Sequence, residues 1–253
     1  MSLTPEQAQR LRLDRYPRAA AYDPEWTLEN LMGPNVLWLA EAVTQVMDLR
    51  PGMRVLDMGC GMALSSIFLA REFGVQVWAT DLWIDATENW GRIQSAGVAD
   101  RVFPIHSEAH ALPFAAGFFD AAISLDAYHY FGTDDLYIGY FAKFIRPGGQ
   151  IGIVVPGLRE EVTDGVPEHL APHWPWDWSS FHSPDWWRTH WSRTGRVSVT
   201  HADLVPEGWR DWQLWLEVCR DGGYRQDPES LAILNADQGR TVVEVNLGYR
   251  TVH

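Results

Sequence analysis

The stretch VLDMGCGMALSS, residues 55–66, places a carboxylate, Asp57, just ahead of two glycines in Gly-x-Gly spacing, Gly59 and Gly61, with Cys60 between them. Glycine carries no Cβ, so such a turn lets the backbone touch a ligand, and a helix that follows it offers unpaired N–H groups. A second acid, Asp81, ends the run VQVWATD, and a third, Glu108, lies in SEAHALPF. A carboxylate in the place of Asp81 can accept from both hydroxyls of a ribose. One in the place of Glu108 can accept from the exocyclic amine of a base. A dinucleotide turn wants a third glycine where this chain has Leu64, and a carboxylate at Asp57 would repel a diphosphate. The set suits a ligand that joins a nucleoside to positive charge.

Strands and helices in alternation must position these groups. The apolar patterns and their turn signals predict strands at 54–58, 75–80, 102–106, 121–125, 151–155, 197–204 and 241–249. Helices are predicted at 4–12, 35–48, 64–73, 86–96, 134–144, 209–220 and 229–236, with another opened by Ser183-Pro184. That order implies an α/β fold: a Rossmann-like, doubly wound, mostly parallel seven-stranded sheet with helices on both faces. Asp57 and Asp81 then end neighbouring strands, on the edge where open sheets bind ligands. Residues 157–182, broken by Pro167, Pro172 and Pro175, read as an irregular lid inserted after the fifth strand. Residues 1–50 read as an N-terminal helical cap on a main domain of 51–253.

Composition narrows the function classes. At 253 residues and 46% hydrophobic the chain can bury a full core, and its formal net charge of −13, without a basic stripe, argues against nucleic-acid partners. The two cysteines, Cys60 and Cys219, suggest neither a disulfide framework nor a zinc cluster. No apolar run reaches the roughly 18–20 residues that cross a bilayer, and the amino end is too polar for a signal peptide. A protein of the reducing cytoplasm, without membrane partners, is expected. Tryptophan is abundant, 14 in all, and concentrated after residue 170.

Taken together, VLDMGCG, the ATD that closes the second strand, SEAHALPF, FFDAAISLDAYHYF and FIRPGGQIGIVV resemble, in order, the motifs of class I S-adenosylmethionine-dependent methyltransferases of the small-molecule, UbiE-like type. The resemblance spans about residues 50–156. It implies that S-adenosyl-L-methionine is bound and S-adenosyl-L-homocysteine released. It places Asp57, Gly59, Cys60 and Gly61 around the methionine portion, Asp81 on the ribose, Leu82 or Trp83 beside the adenine, Glu108 at its amine and Ala109 as a backbone contact, with Ser124 ending the fourth strand nearby. Met62-Ala63 stands where the family has Thr-Gly, and Glu108 where it has Asp. Tyr22 and the Gly33-Pro34 turn are expected near the methionine end.

The resemblance also implies that the segment after the fourth strand faces the transferred methyl group. His129 is the first candidate base, with Asp126 and Tyr128 as alternatives; His106, His110 and Glu88 have weaker claims. A lid carrying Trp174, Trp176, Trp178 and Phe181, followed by Trp186, Trp187 and Trp191, would wall an acceptor chamber. Indole faces on an acidic protein suit a cationic or aromatic small molecule. Core packing is the competing role for each tryptophan. His169, His173 and His182 match no metal-ligand spacing, so no metal is expected. The sequence leaves N, O and C open as the methylated atom, leaves the oligomeric state open, and admits a noncatalytic, cofactor-binding regulatory protein as the alternative.

Overall fold

The computed structural model describes residues 2–225 and 227–252; Met1, Gln226 and His253, which include the outer ends of the expected cap and main domain, lie outside the described residues. One sheet has the order β3-β2-β1-β4-β5-β7-β6. Its strands are β1 (Arg54–Met58), β2 (Gln76–Asp81), β3 (Val102–His106), β4 (Phe119–Leu125), β5 (Ile145–Leu158), β6 (Val197–Leu204) and β7 (Val242–Thr251). The first five pair in parallel, and β7 runs antiparallel to both β5 and β6. The chain order reverses between β1 and β4, which makes the carboxyl ends of those strands the natural ligand crevice.

The helices are α1 (Pro5–Arg10), α2 (Pro24–Glu29), α3 (Val36–Thr44), α4 (Leu64–Phe73), α5 (Ala86–Ser95), α6 (Tyr137–Phe141), α7 (Pro184–Ser192), α8 (Gly208–Gly222) and α9 (Pro228–Asp237). Several starts are capped by side chains: Asn35 accepts from the Leu37 N–H, Ser183 from Trp186 and Asp227 from Ser230. Helix α2 was not predicted; Asp23 caps it by accepting from Glu25, with Pro24 in the first turn. The helix expected over 134–144 is shorter, α6 followed by a 3₁₀ turn at Ala142–Phe144. Strand β5 is longer than the expected 151–155: Ile145 pairs with Phe119, and pairing with β7 continues to Leu158. Pro147-Gly148-Gly149 is taken up inside β5, where the register against β4 shifts.

Strand residues alternate between two apolar cores. Val55, Val77 and Ile123 pack with Phe68, Leu37 and Trp215 on one face. Leu56, Ile151 and Val245 pack with Tyr128, Phe141, Trp187 and Trp191 on the other. The tryptophan cluster therefore divides. Trp187 and Trp191 are fully buried and touch Tyr128, with Trp191 also on Tyr249, so α7 is a core helix rather than part of a lid. Trp176 lies 88% exposed. Among the described residues no helix is long and apolar enough to cross a membrane.

Asp57 is wholly buried on the α4 side of β1, where its Oδ2 accepts from the Ser65 and Ser66 hydroxyls, both at 2.6 Å. It ties the end of β1 to the first turn of the helix that follows. That helix has no side-chain cap, and Ala63 at its start takes a left-handed conformation, φ 61°. Burial, helped by the Asp81 charge and opposed by the two serine hydroxyls, raises the Asp57 carboxyl to about 6.

Two outcomes test this architecture. Trp191→Ala should cost about 3–5 kcal/mol in denaturant unfolding and Trp176→Ala less than about 0.5 kcal/mol. A carboxyl whose proton affinity rises on folding stabilises the fold when protonated, and that stability is lost as pH climbs through its folded pKa. The stability of the wild-type protein relative to Asp57→Asn should therefore fall by about 2 kcal/mol between pH 4 and pH 7; a pH-independent difference would show that Asp57 ionises freely in the fold.

Candidate active site

The glycine turn is fastened to the neighbouring strand by its backbone. The N–H groups of Gly59 and Cys60 both donate to the Thr80 carbonyl, at 2.8 and 3.1 Å, and Gly61 N–H donates to Asp81 Oδ2 at 2.7 Å. The other carboxylate oxygen of Asp81 accepts from Trp83 and Ile84 N–H at 2.8 and 3.0 Å. Asn89 on α5 completes the turn by donating to the Gly61 carbonyl at 2.9 Å. Gly59 has φ 73°, and a Cβ there would collide with Ala127, so only glycine lets the loop after β4 lie against the loop after β1.

Over this turn opens a cavity of about 340 Å³, lined by Gly59, Cys60, Gly61, Asp81, Leu82, Trp83, Glu108, Ala109, Asp126 and, from the N-terminal segment, Thr27, Asn30, Met32 and Gly33. That is the size of an ordinary small-molecule site. Asp81, Glu108 and Asp126 supply its charge, and no Lys or Arg is among its lining residues. Such a lining repels a diphosphate and attracts a cation. Leu82 and Trp83, 51% and 70% exposed, present apolar surface at the mouth.

A second cavity of about 350 Å³ adjoins the first, sharing Met32, Gly33, Asp126, Tyr130 and Trp215 with it. Its aromatic walls are Trp178 and Phe181 from the segment after β5 and Trp212 and Trp215 from α8. Its charged groups are Asp126, Asp177, Asp227, Glu229 and Arg225. Trp178 and Phe181 stack on each other with ring centroids 4.8 Å apart, and Trp178 meets Trp212 at 5.9 Å.

The structure brings together Gly59, Cys60, Gly61, Asp81, Leu82, Glu108, Ala109 and Asp126 on the first cavity, and Asp126 with His129 on the second. Glu108 sits at the rim with both oxygens engaged by His110, one by its N–H and one by its ring, each at 2.7 Å; burial is the largest single effect and pushes its carboxyl up, but the hydrogen bonds and charge of His110 together outweigh it and hold the carboxyl below the usual range. Burial keeps the Cys60 thiol neutral, its pKa pushed well up. Three expected site residues are elsewhere. Asp57 lies behind the turn on Ser65 and Ser66. Ser124 is buried and donates to the Met58 carbonyl at 2.7 Å, linking β4 to β1. Tyr128 is fully buried among Trp187, Trp191, Tyr137 and Phe141, because its 3₁₀ turn points it into the core beneath the sheet. Tyr22 likewise packs on Phe68 and donates to Glu72 rather than reaching the cavity.

His129, the first candidate base, is 3% exposed and its Nδ1 has no partner among the described residues. Burial lowers its pKa to about 3, so it stays a neutral imidazole and is a weak base at neutral pH. Asp126 is raised to about 7 by burial and by the Asp227 charge, which places its proton affinity where a general base works well. Of the other histidines, His106 contacts the Leu82 carbonyl, His169 contacts Asp237 and His182 contacts Glu161. Trp212 and Trp215 escaped sequence reading, although their spacing with Leu216 and Cys219 on a helix is the signal that marks one inward face. Thr27, Asn30 and Asp177 carried no comparable signal.

Residues 55–149 match a family described as a methyltransferase domain. Erythromycin 3''-O-methyltransferase of Saccharopolyspora erythraea is 31% identical over 212 residues, 76% of this chain and 67% of that protein. Methyltransferase GfsG of Streptomyces halstedii is 30% identical over 134 residues, 51% of this chain and 48% of its own length, so the match spans less than half of that relative. Among solved structures, geranyl diphosphate C-methyltransferase from Streptomyces coelicolor A3(2) shares the fold, with a TM-score of 0.68 at 18% identity over 98% of both chains. The sheet order, the glycine turn with its acid at the tip of β2, and these matches agree: the chain belongs to the class I S-adenosylmethionine-dependent methyltransferases.

Proposed function

We propose that the protein transfers a methyl group from S-adenosylmethionine, bound in the first cavity, to an N, O or C atom of a small molecule bound in the second. The observation that carries this reading is the junction: two cavities of similar size meet at Asp126, one of them built on the family's glycine turn and lined by carboxylates without a Lys or Arg. Bound there, S-adenosylmethionine supplies a methyl group on a sulfonium that is already a good leaving group, so little beyond alignment and exclusion of water is demanded of the protein.

The residues present fit that donor. Asp81, fixed by three backbone N–H groups, would hold the ribose hydroxyls on its remaining acceptor sites. Gly59, Cys60 and Gly61 would lie along the methionine portion, and Leu82 and Trp83 would flank the adenine. Glu108 is spoken for by His110, so its role at the adenine amine depends on release of that contact. Residues 1–50 act as a cap that closes the donor cavity through Thr27, Asn30 and the 30–34 loop, and part of 157–182 acts as a lid through Trp178 and Phe181. Carboxylates beside indole faces favour a cationic acceptor over an anionic one. A reducing, cytoplasmic setting is supported by two buried free cysteines.

Calorimetric titration should show S-adenosylmethionine and S-adenosylhomocysteine binding at micromolar strength, with no competition from NAD. Asp81→Ala should weaken both by at least about tenfold, since it removes a charged acceptor. Tight NAD binding, or an unaltered affinity in the variant, would overturn the assignment of the first cavity. Methyl-release assays against amine, phenol and carboxylic acid panels then separate an enzyme from a noncatalytic binder.

A further inference from the structure

We propose that the acceptor is an amine, bound in the second cavity as its ammonium ion, and that Asp126 both holds that nitrogen and takes a proton from it. The inference rests on the methyltransferase reading and specifies its acceptor.

Among the described residues Asp126 is the one carboxylate that lines both cavities. Its position is fixed from two sides. Its N–H donates to the Val154 carbonyl at 2.9 Å, and its backbone sits at φ 51°, a left-handed conformation that few residues other than glycine and Asn or Asp adopt. Across from it is Gly33, where a Cβ would overlap the carboxylate oxygen Oδ2. Residue 33 must be glycine for the carboxylate to lie where it does. Among the described residues nothing donates a hydrogen bond to that partly exposed carboxylate, so its acceptor sites are open to a ligand that supplies donors. An ammonium group supplies both N–H donors and charge.

The surroundings select the same ligand. From the α9 side Asp227 and Glu229 face the cavity, from the 3₁₀ turn after β5 Asp177, and from the loop before α9 one guanidinium, Arg225, at the exposed rim. From the loop that carries Asp126 itself come Tyr130 and His129. The Tyr130 phenol is raised to about 12 by burial first and by Asp126 and Asp177 next, so it stays neutral. Glu244 on β7 is 1% exposed, both its oxygens lack a partner among the described residues, and burial, with the Asp126 charge, raises its carboxyl well above the usual range. Carboxylates thus outnumber the single cation, and Trp178, Phe181, Trp212 and Trp215 wall the space with the π faces that hold ammonium groups. An independent sign of a polar ligand is the unpartnered Nδ1 of buried His129 on the same cavity.

The chemical step is a proton transfer. One N–H bond of the ammonium breaks, an O–H bond forms on Asp126, and the electron pair stays on nitrogen, which leaves a neutral amine beside the donor cavity. Asp126 returns the proton to water once the product leaves. Because the carboxylate ionises near neutral pH, its capacity to hold an ammonium grows as pH rises through about 7.

The test needs no turnover. N-methylphenethylamine and its uncharged counterpart 2-phenylethanol are titrated into the wild-type protein and into Asp126→Asn, with S-adenosylhomocysteine present, at pH 6, 7 and 8, a range in which the amine's own charge is constant. Wild type should bind the amine at least about tenfold more tightly than the alcohol at pH 8, with an affinity that rises from pH 6 to pH 8. The asparagine variant should lose both the preference and the pH slope. Equal binding of amine and alcohol by wild type, no binding of the amine, or a variant that retains preference and slope would each overturn the proposal. The wild-type comparison decides even if the variant does not fold. Failure of wild type to bind S-adenosylhomocysteine would instead strike the reading of the first cavity.

Discussion

The site depends on one carboxylate. Asp81 accepts from Gly61 on one oxygen and from Trp83 and Ile84 on the other, so a single side chain at the tip of β2 gathers N–H groups from the turn after β1 and from its own turn. Hydrogen bonds to an ionised acceptor are the strong ones, and three of them fix two loops to each other. With the Thr80 carbonyl accepting from Gly59 and Cys60, the glycine turn has almost no freedom left. Asp81 lines the first cavity, so whatever acceptor capacity it retains is open to a ligand there. The order of strands brings those two loops side by side, and Asp57, out of sight behind β1, keeps the start of α4 in place.

The two cavities are made in different ways. The first cavity is built on strand ends, whose positions follow from sheet pairing. The second is assembled from pieces outside that frame: the 30–34 loop, the 3₁₀ turn that carries Trp178, helix α8 and the start of α9. The fold fixes the first, and appended segments fix the second. An erythromycin 3''-O-methyltransferase and a geranyl diphosphate C-methyltransferase are thus similar to this chain in its frame, while its second cavity has an acidic and aromatic lining of its own.

The same division governs how much was legible in the sequence. All seven strands and most helices follow from alternation and capping, and Asp81, Gly59 and Gly61 could be placed because local motif and strand end coincide. Misplaced residues are those for which one rotation about the chain decides between cavity and core. Tyr128 and His129 are adjacent, yet a 3₁₀ turn sends Tyr128 into the tryptophan core and His129 toward the acceptor cavity. Asp57 has the residue type a cationic ligand wants, but strand alternation points it at α4. Trp187 and Trp191 belong to a helix whose inner face meets the sheet, which aromatic content alone cannot reveal. Long-range neighbours such as Asp227 and Trp212 join the site only through tertiary packing.

Asp126 draws these threads together. A left-handed backbone on a residue other than glycine costs about 1 kcal/mol or more. Strain of this kind persists where the surrounding structure over-determines it. Here Val154 holds the backbone, Gly33 limits the side chain, and the next residue, Ala127, lies directly on Gly59 of the donor turn. The loop that carries Asp126 at the edge of both cavities is thus also the loop that lies on the glycine turn. A ligand that supplies donors to that carboxylate stabilises the loop, by the same linkage that makes any ligand specific for the folded state stabilising. One short segment therefore joins the two cavities, and what holds it in place bears on both.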